Sequence, residues 1–323
     1  MDFSLSEEQV LLRESVQKYV ADHGGVELHR ELSNTELGFA PEAWSAVAEL
    51  GWLALPFSEA DEGLDGSVTD LMVLCESLGR GLVREPYLHT VVTCGGLLAT
   101  LAGEAQRARY LPPLLAGDAQ WAFAFAERGS GYSWTTLGCE ARETDGGFQL
   151  DGNKIAVLNG HAADYLLVTA SIGEDDLGLF LVDGATPGLT RESFTAVDGS
   201  RGADLQLSAV VVPADACLGQ GGDAIAAIET VLDRAIIALG ADSLGAMQVL
   251  LDATVEYAKT REQFGQPIGK FQALQHRMAD MYLKLEETRS LLYHAAILLD
   301  ESDPEAPAAC AALKVKLLSL IHI

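Results

Sequence analysis

The segment KTREQFGQPIGKFQALQ, residues 259–275, joins two long patterns of apolar residues at helical spacing. Gly265, Pro267 and Gly269 break the pattern, and Arg261 stands just before the break. Glycine permits tight turns and proline cannot continue a helix, so the segment predicts a turn between two helices. Two interpretations stay open at this point: a plain helical hairpin, or a turn that presents Arg261 to a ligand.

Three side chains of this turn suit a phosphate-bearing ligand. A guanidinium such as that of Arg261 binds phosphate oxygens through two parallel hydrogen bonds. Gln263 and Gln272 flank the same turn and offer amide donors. The second interpretation is therefore a phosphate-binding turn.

Composition narrows the class of protein. The chain has 323 residues, which is enough for two or three domains. Its 21 lysines and arginines against 47 acids give a net charge of −26, which argues against binding to nucleic acids or anionic membranes. No apolar run reaches the roughly 20 residues of a membrane span, and the acidic start differs from a signal peptide. The five scattered cysteines show no metal-ligand spacing, so we expect a cytoplasmic protein with reduced cysteines and no metal site.

The spacing of apolar residues divides the chain into three segments. Residues 1–120 and 221–317 show helical spacing, whereas residues 121–220 contain short β-prone runs separated by glycine and proline. Short strands without intervening helices indicate an antiparallel barrel or sandwich. The predicted fold class is multidomain α+β: an N-terminal helical domain, a middle β-domain and a C-terminal helical bundle.

Two local signals refine this division. Asp151-Gly152 lies between β-prone runs and predicts a hairpin turn there. Pro112 and Pro113 predict the end of regular structure in the first helical segment.

The segment YAKTREQFGQPIGKFQALQHRMADM, residues 257–281, resembles the C-terminal-domain signature of the acyl-CoA dehydrogenases. The resemblance extends, in the family's order, over residues 1–317. It is carried also by MDFSLSEEQVLLRESV (1–16), YLPPLLAGDAQWAFAFAERGSG (110–131), LDGNKIAVLNG (150–160) and SAVVVPADACLG (208–219). It implies the same three domains as the periodicity.

The resemblance implies a flavoprotein that desaturates acyl-CoA thioesters with FAD, and that passes electrons to electron-transfer flavoprotein or a similar acceptor. The family binds FAD between the middle and C-terminal domains and across a subunit interface, which implies a homo- or hetero-oligomer. Arg261 and Gln272 would then hold the pyrophosphate and adenylate of a neighbouring subunit's FAD. Gln263 and Phe264 would support them.

The middle segment departs from the family pattern. The resemblance places four residues against the flavin: Phe125, Ala126, Glu127 and Leu158. Ala126 stands where the family usually has a hydroxyl residue, and Ala156, Val157 and Leu158 stand where it has Trp-Ile-Thr. Leucine cannot donate a hydrogen bond to a flavin nitrogen, and alanine leaves one face of the ring unpacked.

A catalytic base is not assigned. The family uses a glutamate late in the C-terminal domain or, in some members, at the position that matches Ala235. Asp233 lies two residues away, so it faces another side of the same helix. We expect that the late glutamate belongs to a C-terminal part that this chain lacks, and that residues 318–323, LSLIHI, are a non-native tail.

Three hypotheses about function follow. In the first, the chain is a partly degenerate subunit that lends Arg261 and Gln272 to the FAD of a catalytic partner, as in two-gene systems such as pimeloyl-CoA dehydrogenase. Alternatively, it is a self-sufficient dehydrogenase, or a non-enzymatic scaffold of the same fold. The kept Arg261 and Gln272 disfavour the scaffold, and the substitutions in the middle segment favour the subunit. The acyl group is not predicted.

Overall fold

The computed structural model describes residues 4–131, 133–173 and 176–320. The chain forms two compact units, which we call the helical unit and the sheet unit. The helical unit comprises residues 1–29, 66–83 and 233–323, and the sheet unit comprises residues 30–65 and 84–232. This division differs from the three sequence segments, whose boundaries stay a prediction.

The α-helices of the described residues follow one another along the chain in both units. In chain order they are α1 (Glu7–His23), α2 (Val26–Ser33), α3 (Pro41–Glu49), α4 (Val68–Arg80), α5 (Gly96–Leu101), α6 (Glu104–Leu115), α7 (Gly221–Thr260), α8 (Gln272–Asp300) and α9 (Ala306–Leu320). A π-helix, Leu88–Gly95, precedes α5. The two long helical patterns on either side of the turn are thus single helices, α7 and α8.

Side-chain caps fix the starts of α1 and α4 in the helical unit. Ser6 accepts a hydrogen bond from the Gln9 backbone, and the Gln9 side chain accepts one from the Ser6 backbone, which is a capping box. Ser67 and Asp70 repeat this arrangement at α4. The Asp300 carboxylate, at the end of α8, also accepts hydrogen bonds from the first two amides of α4.

The sheet unit is built on one large sheet. Its strands are β1 (Trp121–Ala124), β2 (Glu140–Thr144), β3 (Gly147–Leu158), β4 (Tyr165–Ile172), β5 (Asp176–Asp183), β6 (Leu189–Thr195), β7 (Arg201–Pro213) and β8 (Cys217–Gln220). Their order is β6-β7-β3-β2-β4-β5-β8, and β1 pairs with β4 outside this path. The core between the strands is apolar and includes the buried Leu150, Leu166, Phe180 and Leu205.

The α+β fold class is confirmed, with two differences in the sheet. The pairs β1–β4 and β2–β4 are parallel, whereas the other pairs are antiparallel. β2 lies between β3 and β4 in the sheet, and its parallel pairing with β4 joins Glu140 to Ser171 and Ala141 to Ile172. Among the described residues the strands do not close into a barrel.

Both local predictions were wrong. The hairpin turn lies at Asp145-Gly146, where Thr144 pairs with Gly147, and β3 continues through Gly152 at a bulge. Gly152 is required there because its φ is 154° and a Cβ would lie 2.5 Å from the Cys139 Cα.

Pro112 and Pro113 lie inside α6, which ends just after them at Leu115. Leu111 and Leu114 are buried on this turn, so tertiary packing keeps the helix despite the two missing amide donors.

Candidate functional site

The structure places the predicted site residues in two groups. Arg261, Gln263, Phe264 and Gln272 lie together on the α7–α8 turn of the helical unit. The residues Phe125, Ala126, Glu127 and Leu158 lie at the ends of β1 and β3 in the sheet unit.

The α7–α8 turn is a small hairpin. Two short strands, β9 (Glu262–Gln263) and β10 (Gln266–Pro267), pair antiparallel across Phe264 and Gly265. Both turn residues have positive φ, 55° and 75°, as a tight hairpin of this hand requires. Gly269 packs against the end of α7, where a Cβ would lie 2.9 Å from the Ala258 carbonyl oxygen. The glycines and the proline therefore build a defined hairpin.

The backbone of Arg261 is fixed on both sides. Its amide donates to the Tyr257 carbonyl at 2.8 Å, and its carbonyl accepts from the Ile268 amide at 2.8 Å. The side chain is exposed, and within the described part of the chain its guanidinium has no hydrogen bond or ion pair. The hairpin thus fixes the backbone from which this exposed cationic side chain extends.

Two more features of the turn favour a ligand. The Phe264 side chain is 91% exposed, and its ring lies nearly perpendicular to that of Phe271, with centroids 6.1 Å apart. Gln272 is exposed at the first position of α8, and the N-cap residue before it, Phe271, makes no side-chain cap hydrogen bond. An uncapped helix start exposes amide donors and the positive end of the helix dipole, which suits an anion.

In the sheet unit, Phe125 and Ala126 follow β1. The rings of Phe123 and Phe125 stack at 5.0 Å between centroids. The Ala126 carbonyl accepts a hydrogen bond from the Ile155 amide at 2.9 Å, which ties this segment to β3. Ala126 offers no side-chain donor to a ligand.

The end of β3 carries a second bulge, between Lys154 and Val157. Ala156 has a φ of 54° and is exposed, and its amide donates to the Asp204 carboxylate at 2.9 Å. Val157 is buried and Leu158 is half-buried. The three side chains supply no hydrogen-bond donor and no large ring, so this segment does not fit the edge and face of a flavin.

Glu127 is engaged inside the sheet unit. Its carboxylate accepts hydrogen bonds from the amides of Gly138 at 2.5 Å and Cys139 at 3.2 Å. It also pairs with Lys154, whose Nζ lies 2.5 Å from Oε1 and 3.0 Å from the Thr169 hydroxyl. Burial lowers the pKa of Lys154 and raises the pKa of the Cys139 thiol to about 11. The role of Glu127 as a flavin contact stays a prediction.

Lys154 and Asp204 take part in this site but were not predicted from the sequence. Lys154 interrupts a β-prone run, and a lysine at an inward position of a strand is the signal that predicts a buried ion pair. Nothing local to Asp204 indicates its bond to Ala156, because the two residues meet only through the pairing of β3 with β7.

A cavity of about 540 Å³ opens beside this network in the sheet unit. Its lining is mainly polar and includes Arg128, Gly138, Asn153, Glu192 and Asp204. Arg128 and Asp204 form an ion pair at 3.3 Å across it.

The position that matches the family's alternative base, Ala235, lies on α7 and carries no carboxylate. Ala235 and Asp233 are both half-buried. Burial, and to a smaller extent the negative charge of Asp233, raises the pKa of the Cys310 thiol to about 12. The residues 318–320 continue α9, whereas 321–323 lie outside the described residues.

Three family models match the chain in order. They describe the N-terminal domain (residues 6–118), the middle domain (122–211) and the C-terminal domain (222–320) of acyl-CoA dehydrogenases. The chain belongs to the acyl-CoA dehydrogenase family. This family consists of oxidoreductases that bind FAD and oxidise acyl-CoA thioesters.

Individual acyl-CoA dehydrogenases and related structures agree with this assignment. The short-chain specific acyl-CoA dehydrogenase of Megasphaera elsdenii is 33% identical over 98% of this chain and 85% of its own length. PigA with FAD and proline superimposes with a TM-score of 0.92 at 27% identity, covering 99% of this chain and 86% of that chain. The ChsE4-ChsE5 complex from Mycobacterium tuberculosis gives 0.87 at 28% identity, covering 99% and 87%.

These similarities are consistent with an acyl-CoA substrate and with assembly into an oligomer. In the described ranges of this chain, no helix has the length and apolar character needed to cross a membrane.

Proposed function

We propose that the chain is the cofactor-lending subunit of a heteromeric acyl-CoA dehydrogenase. In this proposal the α7–α8 turn contacts FAD that is held by a partner subunit of the same fold. When bound, FAD accepts a hydride from the acyl chain. The observation that carries the proposal is the contrast between the two groups of site residues.

The turn has the groups that an FAD pyrophosphate needs. The Arg261 guanidinium is exposed and unpaired in the described structure, and the uncapped start of α8 offers amide donors beside the Gln272 side chain. A hairpin that served only to connect two helices would not need an exposed Phe264 in a left-handed conformation. The features support a contact with a ligand outside the helical unit.

The sheet unit lacks the groups that a flavin ring needs. Ala126, Ala156 and Leu158 supply neither a donor for the flavin edge nor a ring for its face. Position 235 is an alanine and cannot act as the family's alternative base, which also favours a subunit that relies on a partner for the chemistry. A partner that has these residues would hold the flavin and carry out the chemistry.

The proposal draws further support from a related assembly. The ChsE4-ChsE5 complex combines two different chains, and one of its chains shares the fold of this protein. By analogy, we infer a hetero-oligomer here, with an acyl-CoA substrate and an electron-transfer flavoprotein or similar acceptor.

The test is the ratio of FAD to protein. We expect the chain purified alone to carry no stoichiometric FAD, and the complex with a homologue encoded by a neighbouring gene to carry one FAD per pair of chains. Absorbance at the flavin band and at the protein band gives the ratio. One FAD per chain without a partner would instead support the self-sufficient dehydrogenase. No FAD in any assembly would support the scaffold.

A further inference from the structure

We propose that Glu127 and Lys154 act as a positioning pair that holds together the two ends of the loop 128–137. Glu127, Lys154 and the first loop residue, Arg128, all line the 540 Å³ cavity of the sheet unit. Both residues and the loop lie in the sheet unit, and the clamp does not need a bound flavin.

The Glu127 carboxylate closes the loop at its base. Glu127 precedes the loop, and its two oxygens accept hydrogen bonds from the backbone amides of Gly138 and Cys139, which follow the loop. A charged acceptor strengthens both bonds. One side chain therefore joins the start of the loop to its end.

Lys154 makes this buried carboxylate possible. Its side chain is fully buried, it donates to Glu127 and to the Thr169 hydroxyl, and its Nζ lies 3.5 Å from the Phe125 carbonyl oxygen. A carboxylate as buried as that of Glu127 would be strongly destabilising without a cation beside it. Lys154 thus anchors the loop to β3 and β4 through Glu127.

The loop itself has few other attachments to the sheet. Within the described part of the loop, which leaves out Tyr132, the hydroxyls bond locally: Ser130 to the Glu127 carbonyl, and Ser133 to Thr135 and Thr136. The Arg128–Asp204 ion pair is exposed and therefore weak. The Glu127 clamp is the buried attachment at the base of this loop.

The loop carries its own probes. Arg128 is exposed and followed by glycine, so trypsin can cut there once the loop opens. Trp134 is half-buried, whereas the other three tryptophans, Trp44, Trp52 and Trp121, are buried. Acrylamide quenching of fluorescence therefore reports mainly on Trp134.

The test compares two double variants of the full chain. Glu127→Gln with Lys154→Met removes both charges but keeps one oxygen, which can accept one of the two amides that Glu127 binds. Glu127→Leu with Lys154→Met removes both charges and the acceptor. The two proteins share an uncharged interior at this place, so they differ chiefly in the clamp.

We expect the leucine variant to be cut after Arg128 roughly tenfold faster or more than the wild type, because losing a charge-assisted bond raises the open population by about that factor. Quenching of Trp134 should increase in parallel. The glutamine variant should be cut more slowly than the leucine variant and stay within about threefold of the wild type, because it keeps one neutral acceptor at the base of the loop.

Equal cleavage rates in the two variants would overturn the proposal, because the acceptor would then not matter. Should the leucine variant yield no soluble protein, the glutamine variant decides alone. Its cleavage within about threefold of the wild type supports the clamp, and cleavage roughly tenfold faster, despite the kept acceptor, contradicts it.

Discussion

Phe264 combines a backbone φ of 55° with a side chain that is 91% exposed. The left-handed conformation costs a non-glycine residue roughly 1–2 kcal/mol, and the exposed ring recovers little of it by packing. Phe264→Asn should keep or raise the free energy of unfolding by up to about 1 kcal/mol, because asparagine tolerates this conformation. The same variant should weaken FAD binding by the complex. Urea unfolding and flavin titration measure the two effects, and a variant that loses stability while it keeps FAD affinity would contradict this account of the turn.

His89 gives a prediction on pH. Burial in the sheet unit lowers the pKa of its imidazole to about 4 from the usual 6.5, and the nearby Asp198 opposes this only in part. The unfolded chain therefore binds more protons than the folded chain between pH 6.5 and 4, so this contribution to stability is present above pH 6.5 and is lost as the pH falls through this window. The difference between pKa values of 6.5 and about 4 corresponds to roughly 3 kcal/mol.

The matched variant for this prediction is His89→Gln, which cannot titrate. We expect the difference in free energy of unfolding between wild type and variant to change by about 1–3 kcal/mol between pH 7 and pH 4.5, with the wild type losing more. A constant difference across that range would show that burial of His89 does not govern its protonation. The comparison removes the titration of the many carboxylates common to both proteins.

At the residue scale, the predicted turn between two helices is confirmed, whereas the two-stranded hairpin within it was not predicted, and its phosphate-binding role stays a prediction. Arg261 and Gln272 were chosen because their donors suit phosphate, and the structure leaves both exposed. The buried bond network of Glu127 was not predicted, because its partners Gly138, Cys139, Lys154 and Thr169 come from separate stretches of the chain. Local patterns carry no information on such encounters.

At the scale of elements, the start of α4 shows how distant residues stabilise a helix. Ser67 and Asp70 cap it locally, while Asp300 accepts the amides of Val68 and Thr69 at 2.6 and 3.0 Å, and also the Thr69 hydroxyl. Asp300→Ala removes these acceptors, so we expect a loss of about 1–2 kcal/mol in the free energy of unfolding. Urea unfolding measures it.

Glu301→Ala is the matched control for Asp300→Ala, since Glu301 is an exposed neighbour of the same charge. It should change the free energy of unfolding by less than about 0.5 kcal/mol. Similar losses in the two variants would mean that net charge, rather than the cap, sets the stability of this helix start.

Periodicity predicted the helices and strands well where burial is regular, as in α7 and β4. It failed where two signals of the same kind compete. Both Asp145-Gly146 and Asp151-Gly152 suit a hairpin, and only the pairing of β3 with β7 and the contact of Gly152 with Cys139 decide between them. The prediction that Pro112 and Pro113 end the helix was also wrong, because the buried Leu111 and Leu114 beside them stabilise α6 through tertiary packing.

At the scale of the whole molecule, the helical unit exposes large apolar side chains near the turn. Leu250 and Tyr257 on α7, and Tyr282 and Leu283 on α8, are each more than half exposed. Such a surface is typical of a subunit interface. We expect Leu283→Asp to weaken assembly with the partner and to lower FAD content with it. Sedimentation velocity measures the assembly, and a complex that stays intact would place the interface elsewhere.

The central claim is that Arg261 reaches the FAD of a partner subunit. Its most direct measurement is the FAD dissociation constant of the complex that carries Arg261→Ala, against the control Arg277→Ala, which removes another exposed arginine from α8. Losing a charge-assisted contact should weaken FAD binding roughly ten- to hundred-fold, while Arg261→Lys recovers part of it and the control changes it by less than about twofold. Unchanged FAD affinity in Arg261→Ala, with the complex intact, would contradict the claim and leave the turn a plain helical hairpin.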